Sequence, residues 1–389
     1  MIKKPLQDLY LSTLGIGNMR LQTKGQGGPI DEEKAREIIE YAYHHGVNYF
    51  DTAYRYHGGE SETFVGKVLS QFPRDSFYLA SKMPGHMMNY KDGRLGFQGY
   101  LSDFHVDSIS EIFEEQLKKC QVEYFDFYLL HNMCESSYDF YTNEELDVVG
   151  YLLEQKKAGR IRHLGFSSHG RADTIDRFLT RYEGAFEFVQ IQLNYFDWEL
   201  QQAKDKYDVI TRHGLPVIVM EPVRGGKLCA LPEKAADILH AARPADSEAR
   251  WAFDFLRTLP GVQVVLSGMT TIEQLKENID IFSQPAQMGE PERQVLHQAV
   301  QAMVDLIPCT GCRYCTEECP QGLDIPKLIA MYNEMKHEGL NILSFNLRGM
   351  KPEELPDSCI GCGACQRICP QGIHIPEILS DFAREIAGK

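Results

Sequence analysis

Residues 47–56 read Val47-Asn48-Tyr49-Phe50-Asp51-Thr52-Ala53-Tyr54-Arg55-Tyr56, an apolar run of strand length that ends on polar side chains. A segment with helical periodicity, Asp31–His45, comes before it, and Gly46 separates the two. Asp31 suits the N-cap of that helix, and Gly46 suits the left-handed position after its end. The stretch therefore predicts a helix, a tight turn and a buried strand with reactive groups at its carboxyl end.

The same alternation of apolar runs and helical segments extends to about residue 285. The other apolar runs are Leu9–Ile16, Phe77–Ala80, Phe125–Leu130, Ile161–Phe166, Phe188–Leu193, Leu215–Met220 and Val262–Leu266. The other helical segments are Glu60–Gln71, Asp107–Cys120, Asn143–Ala158, Arg171–Tyr182, Glu199–His213 and Thr271–Phe282. Near-continuous apolar strands indicate a parallel sheet covered by helices. Eight such units predict an α/β fold, the closed (β/α)8 or TIM barrel, over residues 1–285.

Polar or reactive side chains follow seven of the eight predicted strands. They are Asp51-Thr52, Ser81-Lys82, His131-Asn132, Ser167-Ser168, Asn194, Glu221 and Ser267. In such a barrel the carboxyl ends of all strands meet on one face, where the active site lies. Solvated loops explain some of these residues, but not a lysine and a histidine directly after apolar runs together with Asp51 and Tyr56. The pattern predicts an active site on this face.

The composition excludes several classes of protein. The 389 residues are 43 % hydrophobic and 24 % charged, as in folded globular proteins. A net charge of -15 disfavours nucleic acid, whose phosphates need a basic surface. No apolar stretch approaches the roughly 20 residues of a membrane span. The polar start Met1-Ile2-Lys3-Lys4-Pro5 lacks the apolar region of a signal peptide, so a cytoplasmic protein without membrane or nucleic-acid partners is expected.

The alternation stops near Ser283-Gln284-Pro285, which predicts a boundary between a barrel of residues 1–285 and a second domain of residues 286–389. A helical segment, Glu290–Leu306, leads into an internal repeat with a further helix, Pro326–Glu338, between its copies. The copies are Cys309-x2-Cys312-x2-Cys315-x3-Cys319-Pro320 and Cys359-x2-Cys362-x2-Cys365-x3-Cys369-Pro370. Without a secretory signal, disulfides explain these cysteines poorly. The remaining Cys120, Cys134 and Cys229 are expected to be ordinary buried thiols.

The cysteine spacing is that of bacterial ferredoxins, in which three cysteines of one run and the fourth of the other hold each 4Fe–4S cluster. The first predicted set is Cys309, Cys312, Cys315 and Cys369; the second is Cys359, Cys362, Cys365 and Cys319. Zinc is the alternative, but zinc sites typically use two pairs of ligands rather than runs of four. A small ferredoxin-like domain, α+β or mostly helical, with two clusters is therefore expected.

Residues 47–56, with Gly59-Glu60-Ser61-Glu62 after them, resemble the signature of the aldo-keto reductase superfamily. The resemblance covers residues 1 to about 285 and includes Ser81-Lys82 and Tyr128-Leu129-Leu130-His131. With its cysteine-rich tail, the chain is similar to the ferredoxin-tailed members. The superfamily fold is a (β/α)8 barrel, which agrees with the periodicity.

The resemblance implies catalytic roles for four residues. Tyr56 would be the proton donor, Lys82 and Asp51 its activating pair, and His131 the residue that orients the substrate carbonyl. Hydride transfer to a carbonyl leaves an alkoxide that needs a proton, and a tyrosine with a pKa of about 10 is poorly matched to neutral pH. The Lys82 ammonium is expected to lower that pKa. The implied reaction is NAD(P)H-dependent reduction of an aldehyde or ketone, or the reverse oxidation of an alcohol.

The resemblance also implies an extended NADP or NAD across the barrel mouth. The expected contacts are Gly17, Asn18, Met19, Asp51, Ser167, Ser168, Gln190, Met220, Pro222, Arg224, Gly226, Ser267, Gly268, Met269, Gln274 and Asn278. Arg224 is the expected charge partner of the pyrophosphate. Many relatives hold the 2′-phosphate of NADP with a lysine and an arginine where this chain has Gly268 and Gln274. The N-terminus of the following helix can still bind phosphate, so NADH stays open beside NADPH.

The clusters are expected to exchange single electrons with a partner such as a ferredoxin or a flavoprotein. Hydride chemistry moves two electrons, so coupling needs both clusters together or a flavin, for which the sequence carries no signal. Three alternatives stay open: structural clusters, an electron-transfer protein whose barrel is a scaffold, and a redox sensor. The substrate is not specified, because specificity depends on variable loops, here Pro84–Asp107 and Met133–Asn143.

Overall fold

The computed structural model describes residues 1–25, 28–98, 106–200, 202–303, 307, 309, 313–338, 347 and 349–387. The strands are β1 Lys3–Leu6, β2 Leu9–Ser12, β3 Leu14–Gly17, β4 Tyr49–Asp51, β5 Tyr78–Met83, β6 Met88–Lys91, β7 Arg94–Phe97, β8 Phe125–Leu130, β9 Ile161–Ser168, β10 Phe188–Gln192, β11 Val217–Met220 and β12 Val262–Ser267. Eight of them close into a parallel barrel in the order β10-β11-β12-β3-β4-β5-β8-β9, which confirms the predicted fold.

The helices of the barrel region are α1 Glu32–His44, α2 Ser61–Leu69, α3 Ile109–Cys120, α4 Tyr138–Tyr141, α5 Val148–Lys157, α6 Ala172–Arg181, α7 Asp197–Leu200, α8 Ala203–Arg212, α9 Glu233–Ala242, α10 Glu248–Arg257, α11 Ile272–Ser283 and α12 Glu290–Met303. The C-terminal helices are α13 Tyr314–Glu317, α14 Ile325–Glu338, α15 Ala364–Ile368 and α16 Ile375–Ala387. None of the helices in the described ranges is long and apolar enough to cross a membrane.

Large apolar side chains fill the inside of the barrel. They include Tyr49, Phe127, Phe188, Ile218 and Val264, all fully buried. Burying a side chain of this size stabilises the fold by about 1.5–3 kcal/mol. Gly165 of β9 makes room for the Phe188 ring, because a Cβ atom at position 165 would lie 2.6 Å from a ring carbon. Packing therefore requires a glycine at this point of β9.

The first apolar run differs from its prediction. Leu9–Ile16 is not one strand, because β2 pairs antiparallel with β1 and only β3 joins the barrel. The chain turns at Ser12 and Thr13, where the Ser12 backbone N–H donates to Asn48 Oδ1 at 2.7 Å. The hairpin buries Leu11 in the same cluster as the barrel interior. It therefore plugs the end of the barrel opposite the active site.

The connection between β11 and β12 contains two helices that the sequence pattern did not assign, α9 and α10. The expected helix Glu199–His213 is divided into α7 and α8. Helix α12 packs on α9, and its Leu296 and Val300 belong to the hydrophobic core of the barrel. Residues 304–306, at the end of the expected helix Glu290–Leu306, lie outside the described residues.

The C-terminal region has a separate hydrophobic core. It contains Leu323, Leu328, Ile329, Ile375, Leu379 and Phe382. The two copies of the repeat form matching pairs, because α13 packs on α15 and α14 packs on α16. The regular structure described between residues 313 and 387 is helical. The internal repeat of the sequence is thus a repeat of the fold.

Candidate active site and cysteine cavities

The carboxyl ends of β4, β5 and β8 bring the four expected catalytic residues together. Asp51 ends β4, Lys82 lies near the end of β5, His131 follows β8, and Tyr56 follows β4 by a short loop. Lys82 Nζ lies 2.5 Å from Asp51 Oδ1, 2.7 Å from the Thr52 carbonyl oxygen and 3.3 Å from the Tyr56 hydroxyl. The Tyr56 and His131 rings meet edge to face at 5.9 Å. The ammonium is thus held between a carboxylate and a phenol.

Burial has the largest effect on the charges of this group. Lys82 has no exposed surface and Asp51 is 2 % exposed. Burial opposes the charge of Lys82, but the nearby Asp51 carboxylate and Tyr56 outweigh it and raise the pKa of Lys82. Burial also raises the pKa of Tyr56, and Lys82 offsets only part of that rise. Lys82 therefore acts on the Tyr56 pKa in the expected direction, and burial acts more strongly in the opposite direction.

His131 is held neutral beside this pair. Burial, together with the positive charges that His86, Lys82 and His169 can carry, holds the pKa of His131 well below its ordinary value. A neutral imidazole can still donate or accept a hydrogen bond. His131 is therefore able to orient a carbonyl oxygen without adding a charge to the site.

A buried polar network supports β5 beneath Lys82. Glu62 Oε1 accepts from Ser81 Oγ at 2.5 Å and from Gln116 Nε2 at 2.6 Å. Gln116 Nε2 also lies 3.0 Å from the Lys82 carbonyl oxygen, and Gln116 Oε1 accepts from the Tyr128 hydroxyl at 2.5 Å. Burial raises the pKa of Glu62. In the sequence, Glu62 stands out only as part of the family signature; the network gives it a physical role.

The expected cofactor contacts lie around the same face of the barrel. Most of them lie at strand ends: at β3 Gly17, Asn18 and Met19, at β9 Ser167 and Ser168, at β11 Met220, and at β12 Ser267, Gly268 and Met269. Gln190 lies within β10, and the loop after β11 contains Pro222, Arg224 and Gly226. Helix α11 contributes Gln274 and Asn278. Asn18 Nδ2 donates to the Asp51 carbonyl oxygen at 2.9 Å. This hydrogen bond connects the expected cofactor contacts to the four expected catalytic residues.

Gln190 is a buried amide at the centre of this face. Its Nε2 lies 3.7 Å from Met220 Sδ, and its Oε1 has no hydrogen-bond partner among the described residues. A buried polar atom without a partner costs about 1–3 kcal/mol. Such an atom fits a site where a ligand supplies the missing donor, as the carboxamide of a nicotinamide would.

Arg224 is buried and forms an ion pair within the protein. It is 4 % exposed, and its Nη2 lies 3.2 Å from Asp197 Oδ1. Asp197 Oδ2 also accepts from Gln192 at 2.8 Å and from Asn194 at 2.6 Å. The charge of Arg224 is therefore balanced inside the fold, and the pairing secures the loop that was expected to pass the pyrophosphate.

Arg20 is a basic residue at the barrel mouth that the sequence pattern did not single out. Its aliphatic part crosses Gly268, where an added Cβ would lie 3.2 Å from Arg20 Cβ. A Cβ at Gly225 would lie 3.0 Å from Arg20 Nη2, and the same nitrogen pairs with Glu221 Oε1 at 3.2 Å. Arg20 thus spans the loops after β11 and β12 and brings a cation to the place where Gly268 supplies none.

Gln274 caps the start of helix α11. Its Oε1 accepts from the Thr270 backbone N–H at 2.9 Å, and its own backbone N–H donates to Thr271 Oγ1 at 3.3 Å. Together with Thr271 it forms a capping box at the start of α11. The position where relatives carry an arginine is therefore used here to begin a helix.

The cysteines of the repeat line two cavities. Cys309, Cys315 and Cys369 line one, together with Arg313 and Ile329. Cys319, Cys359, Cys362 and Cys365 line the other. Cys312 lies outside the described residues. In both cavities the fourth position comes from the opposite copy of the repeat, as the ferredoxin spacing predicts.

The donor set of these cavities suits clusters better than single ions. Apolar side chains such as Leu323, Ile329 and Ile373 complete the walls, so the thiols lie in a largely apolar shell. Among the described residues no group of three histidine, cysteine or acidic side chains could hold one metal ion. Gly361 and Gly363 adopt φ values of 69° and 70°, which let the second cysteine loop fold tightly around its cavity.

The cysteine-rich domain rests on loops at the active-site face. Helix α14 packs on α7, which follows β10. Glu334 of α14 acts electrostatically on the buried Lys206 of α8. Gly349 contacts Glu135 in the loop after β8, because a Cβ at position 349 would lie 2.1 Å from Glu135 Cβ. The two domains therefore meet beside the loop that carries His131.

The chain belongs to the aldo/keto reductase family, because the profile of that family matches residues 13–290. The profile of the 4Fe-4S dicluster domain matches residues 308–374, the part that contains all eight cysteines of the repeat. The protein is therefore an oxidoreductase of the aldo-keto reductase type that carries a C-terminal 4Fe–4S domain.

Several known proteins are similar to the barrel. Probable aldo-keto reductase 1 of Glycine max is 25 % identical over 331 residues, covering 77 % of this chain and 88 % of the relative. The NADH-specific methylglyoxal reductase of Escherichia coli is 27 % identical over 232 residues, covering 57 % of this chain and 66 % of the relative. A holo aldo-keto reductase structure from Bacillus halodurans has a TM-score of 0.61 and 28 % identity, covering 77 % of this chain and 96 % of its own.

A more distant structure shares the fold alone. The aldo/keto reductase of Klebsiella pneumoniae, solved in complex with NADP and acetate, is 19 % identical with a TM-score of 0.57. It covers 77 % of this chain, and 93 % of its own chain is covered. These relatives and structures cover 57–77 % of this chain and 66–96 % of their own length.

Proposed function

We propose that the barrel reduces a small aldehyde or ketone with NADH or NADPH, or oxidises the corresponding alcohol. One observation carries this proposal: a fully buried Lys82 Nζ touches both Asp51 Oδ1 and the Tyr56 hydroxyl at the carboxyl end of the barrel. Removing the charge of a lysine from water raises the free energy of the folded state. A purely structural lysine in a loop would not need to be buried in this way. Catalytic groups are a common reason for such a perturbed arrangement.

In the proposed reaction, Tyr56 donates its hydroxyl proton to the substrate oxygen as negative charge develops there. Lys82 stabilises the phenolate left behind, and Asp51 keeps Lys82 charged and fixed. His131, held neutral, orients the carbonyl through a hydrogen bond. When bound, the reduced nicotinamide supplies the hydride. A positioned acid of this kind contributes about 10²–10⁴-fold to the rate.

For the cofactor, we propose that Ser167, Ser168 and Gln190 hold the nicotinamide carboxamide. The buried Gln190 Oε1, which has no hydrogen-bond partner in the described part of the chain, supports this assignment. Arg20 and the N-terminus of α11 are the proposed phosphate contacts, because both lie at the loop after β12. Whether NADH or NADPH is preferred depends on Arg20, since Gly268 and Gln274 offer no cation.

For the C-terminal domain, we propose two 4Fe–4S clusters that exchange single electrons with a partner such as a ferredoxin or a flavoprotein. The thiol-lined cavities support the division into two cages, each completed by the opposite copy of the repeat. A second candidate is redox sensing, in which the clusters regulate the barrel. The contact of Gly349 with Glu135, which lies in the same loop as His131, favours that candidate.

Anaerobic turnover assays test the proposal. The purified protein is offered NADH or NADPH with a panel of aldehydes and ketones, and oxidation of the nicotinamide is followed by absorbance. We expect Tyr56→Phe to lower kcat by about 10²–10⁴-fold while the cofactor Kd stays within twofold. Tyr10→Phe is the matched control, because Tyr10 is 64 % exposed at the opposite end of the barrel. A loss below tenfold in Tyr56→Phe would contradict the assigned role.

A further inference from the structure

A cavity on the barrel face opposite the active site has no role in the proposed reaction. Its volume is about 150 Å³, well above the roughly 10–15 Å³ that one water molecule requires. Its wall is formed by β1 with the turn after β2, by the segment from the end of α10 into β12, and by the connection from α11 to α12. The lining residues are Ile2, Lys4, Thr13, Arg257, Val262, Gln263, Val265 and Ala286. Parts of the chain that are distant in sequence therefore enclose one space.

Lys4 brings an ammonium group to this cavity. Its Nζ donates to the Val262 carbonyl oxygen at 2.8 Å, which uses one of the three N–H donors of a lysine. No carboxylate of the described residues pairs with Lys4, and the charged group that acts on it is another cation, Arg257. Burial, followed by that positive charge, lowers the pKa of Lys4. The ammonium therefore retains donors for a ligand.

Arg257 is the second cation of the wall, and it belongs to a row of ion pairs. Its Nη1 lies 3.0 Å from Asp254 Oδ1, and its Nη2 donates to the Gln284 carbonyl oxygen. In this row three arginines alternate with three aspartates: Arg257, Asp254, Arg243, Asp246, Arg250 and Asp280. The acids balance the arginines, so the row holds no carboxylate in excess for Lys4.

Two neutral groups add to the polar part of the wall. Gln263 Nε2 donates to the Pro5 carbonyl oxygen at 2.8 Å, and an amide nitrogen carries a second N–H. Thr13 Oγ1 lies 3.1 Å from the Ile2 carbonyl oxygen. Lining residues from all three parts of the wall, among them Lys4 and Gln263, are partly exposed. A small molecule can therefore reach the cavity from solvent.

We propose that this cavity binds a small tetrahedral oxyanion of the phosphate type, with Lys4 as its charge partner and Arg257 and Gln263 as further donors. The donors come from β1, α10 and β12, and a tetrahedral anion presents acceptor oxygens in several directions. A planar carboxylate prefers two parallel N–H donors from one guanidinium, but both Nη atoms of Arg257 already have protein acceptors. The anion joins β1 to the connection that contains Ala286, and it stabilises the fold because it binds the folded chain.

Isothermal titration calorimetry on the intact, cluster-loaded protein measures the binding. Sodium phosphate is titrated at constant ionic strength against chloride, because salt screens exposed charges. We expect one site per chain and an unfolding midpoint that rises with phosphate but not with chloride. Arg20→Gln should bind phosphate equally well, which separates this cavity from the proposed cofactor contacts. Glycerol 3-phosphate, titrated in parallel, distinguishes a phosphate ester from the free anion, which share this recognition chemistry.

Variants then assign the binding to the cavity. Lys4→Met should weaken phosphate at least about tenfold, because a charge-assisted contact is lost. Lys3→Met is the matched control, since it removes the same charge from an exposed residue of β1, and it should leave the Kd within about twofold. Ala286→Leu narrows the cavity and keeps both cations, so it should also weaken phosphate.

Three results would overturn the site. The first is that phosphate produces neither heat nor stabilisation in the unmodified protein. The second is an equal phosphate Kd in Lys3→Met and Lys4→Met. The third is a Lys4→Met variant whose unfolding midpoint falls by the same amount with and without phosphate, because Lys4 would then only join β1 to Val262. Carbonyl reduction on the other face of the barrel is tested separately by turnover, so none of these results bears on the proposed function.

Discussion

The barrel and the cysteine-rich domain hold their reactive groups in different ways. In the barrel, Asp51 and Lys82 are buried, hydrogen-bonded to each other and built on strands with neighbours on both sides. In the C-terminal domain, the described cysteines lie in loops and in the short helices α13 and α15, and most of them are partly or fully exposed. We infer that the barrel site is organised by the protein alone, while the cysteine cages depend on the clusters they are proposed to bind.

Breaking the ion pair of the barrel should have the largest effect. Lys82→Met leaves the Asp51 carboxylate buried without its cation, which should lower the free energy of unfolding by about 3–5 kcal/mol. It should also lower kcat by at least about 10²-fold, because the phenolate of Tyr56 loses its stabilising charge. Denaturant unfolding followed by tryptophan fluorescence measures the stability. Both tryptophans, Trp198 and Trp251, lie in the barrel, so the signal reports that domain.

A double variant separates stability from catalysis. Asp51→Leu combined with Lys82→Met removes both charges, and apolar replacement of a buried ion pair is often neutral for stability. We expect the double variant to recover most of the unfolding free energy and none of the activity. If Lys82→Met alone lowered the free energy of unfolding by less than 1 kcal/mol, the Asp51–Lys82 ion pair would not be important for stability.

The alternation of apolar runs and helical segments predicted the barrel, because the apolar positions are the ones that the fold buries. All six residues of β8 are buried, and the predicted run Phe125–Leu130 coincides with that strand. The φ of 88° at Gly46 agrees with its expected position after α1. The same alternation placed Asp51, Tyr56, Lys82 and His131 near one another, since the carboxyl ends of parallel strands meet on one face. Their catalytic roles came from the family resemblance alone.

The remaining features depend on contacts between distant parts of the chain. The prediction of one strand over Leu9–Ile16 missed the hairpin of β1 and β2, because the chain turns at Ser12 and Thr13, next to Asn48. The Arg224–Asp197 pair and the place of Arg20 over Gly268 are likewise tertiary contacts. Periodicity carries no information on such partners, so these residues could be found only in the folded chain.

Removing one cage tests the other half of the comparison. Cys365→Ser should lower iron from about eight to about four atoms per chain, because each cluster holds four irons and one ligand set is incomplete. The fluorescence unfolding midpoint of the barrel should stay unchanged. Iron and acid-labile sulfide are measured on anaerobically purified protein. Cys229→Ser is the control and should keep all the iron. Cys229 lies in the barrel region and is exposed, so the expectation of a buried thiol was wrong for this cysteine, whereas Cys120 and Cys134 are buried.

Two outcomes would contradict that assignment. A stoichiometric zinc content in the unmodified protein would replace the clusters with single-ion sites. A full iron content in Cys365→Ser would remove this cysteine from the ligand set. If the barrel lost its cooperative unfolding in Cys365→Ser, its stability would depend on the cysteine-rich domain.

A smaller effect is expected at Glu62, the buried carboxyl of the network under Lys82. Burial raises its pKa in the folded protein, so the folded state binds a proton that the unfolded state releases above its ordinary pKa. Stability contributed by this group therefore falls as pH rises from the unfolded pKa towards the folded one. Glu62→Gln lacks this titration, and its stability relative to the unmodified protein should rise over that window.

Fluorescence-detected unfolding between pH 4 and 8 measures that difference. Glu115→Gln, at a half-buried glutamate of α3 whose pKa is lowered rather than raised, is the matched control: it titrates below the ordinary glutamate pKa, so its stability difference should stay nearly constant above that value. A constant stability difference between Glu62→Gln and the unmodified protein over the whole range would mean that Glu62 does not titrate on folding.

The smallest effect concerns the choice between NADPH and NADH. A built phosphate site with charge-assisted hydrogen bonds contributes about 1.5–3 kcal/mol. Arg20 is the cation beside Gly268, but its side chain is 45 % exposed and already pairs with Glu221. An exposed charge contact contributes about 1 kcal/mol or less, which corresponds to about fivefold in affinity. We therefore expect a preference for NADPH below about tenfold.

Titrating both reduced cofactors by fluorescence decides this point, and two variants at the same ion pair sharpen it. Arg20→Gln should weaken NADPH more than NADH and bring their Kd values together. Glu221→Gln releases Arg20 from its carboxylate and should strengthen NADPH by severalfold, because the guanidinium no longer divides its hydrogen bonds between a protein and a ligand acceptor. A hundredfold preference for NADPH that persists in Arg20→Gln would mean that a different basic group binds the 2′-phosphate.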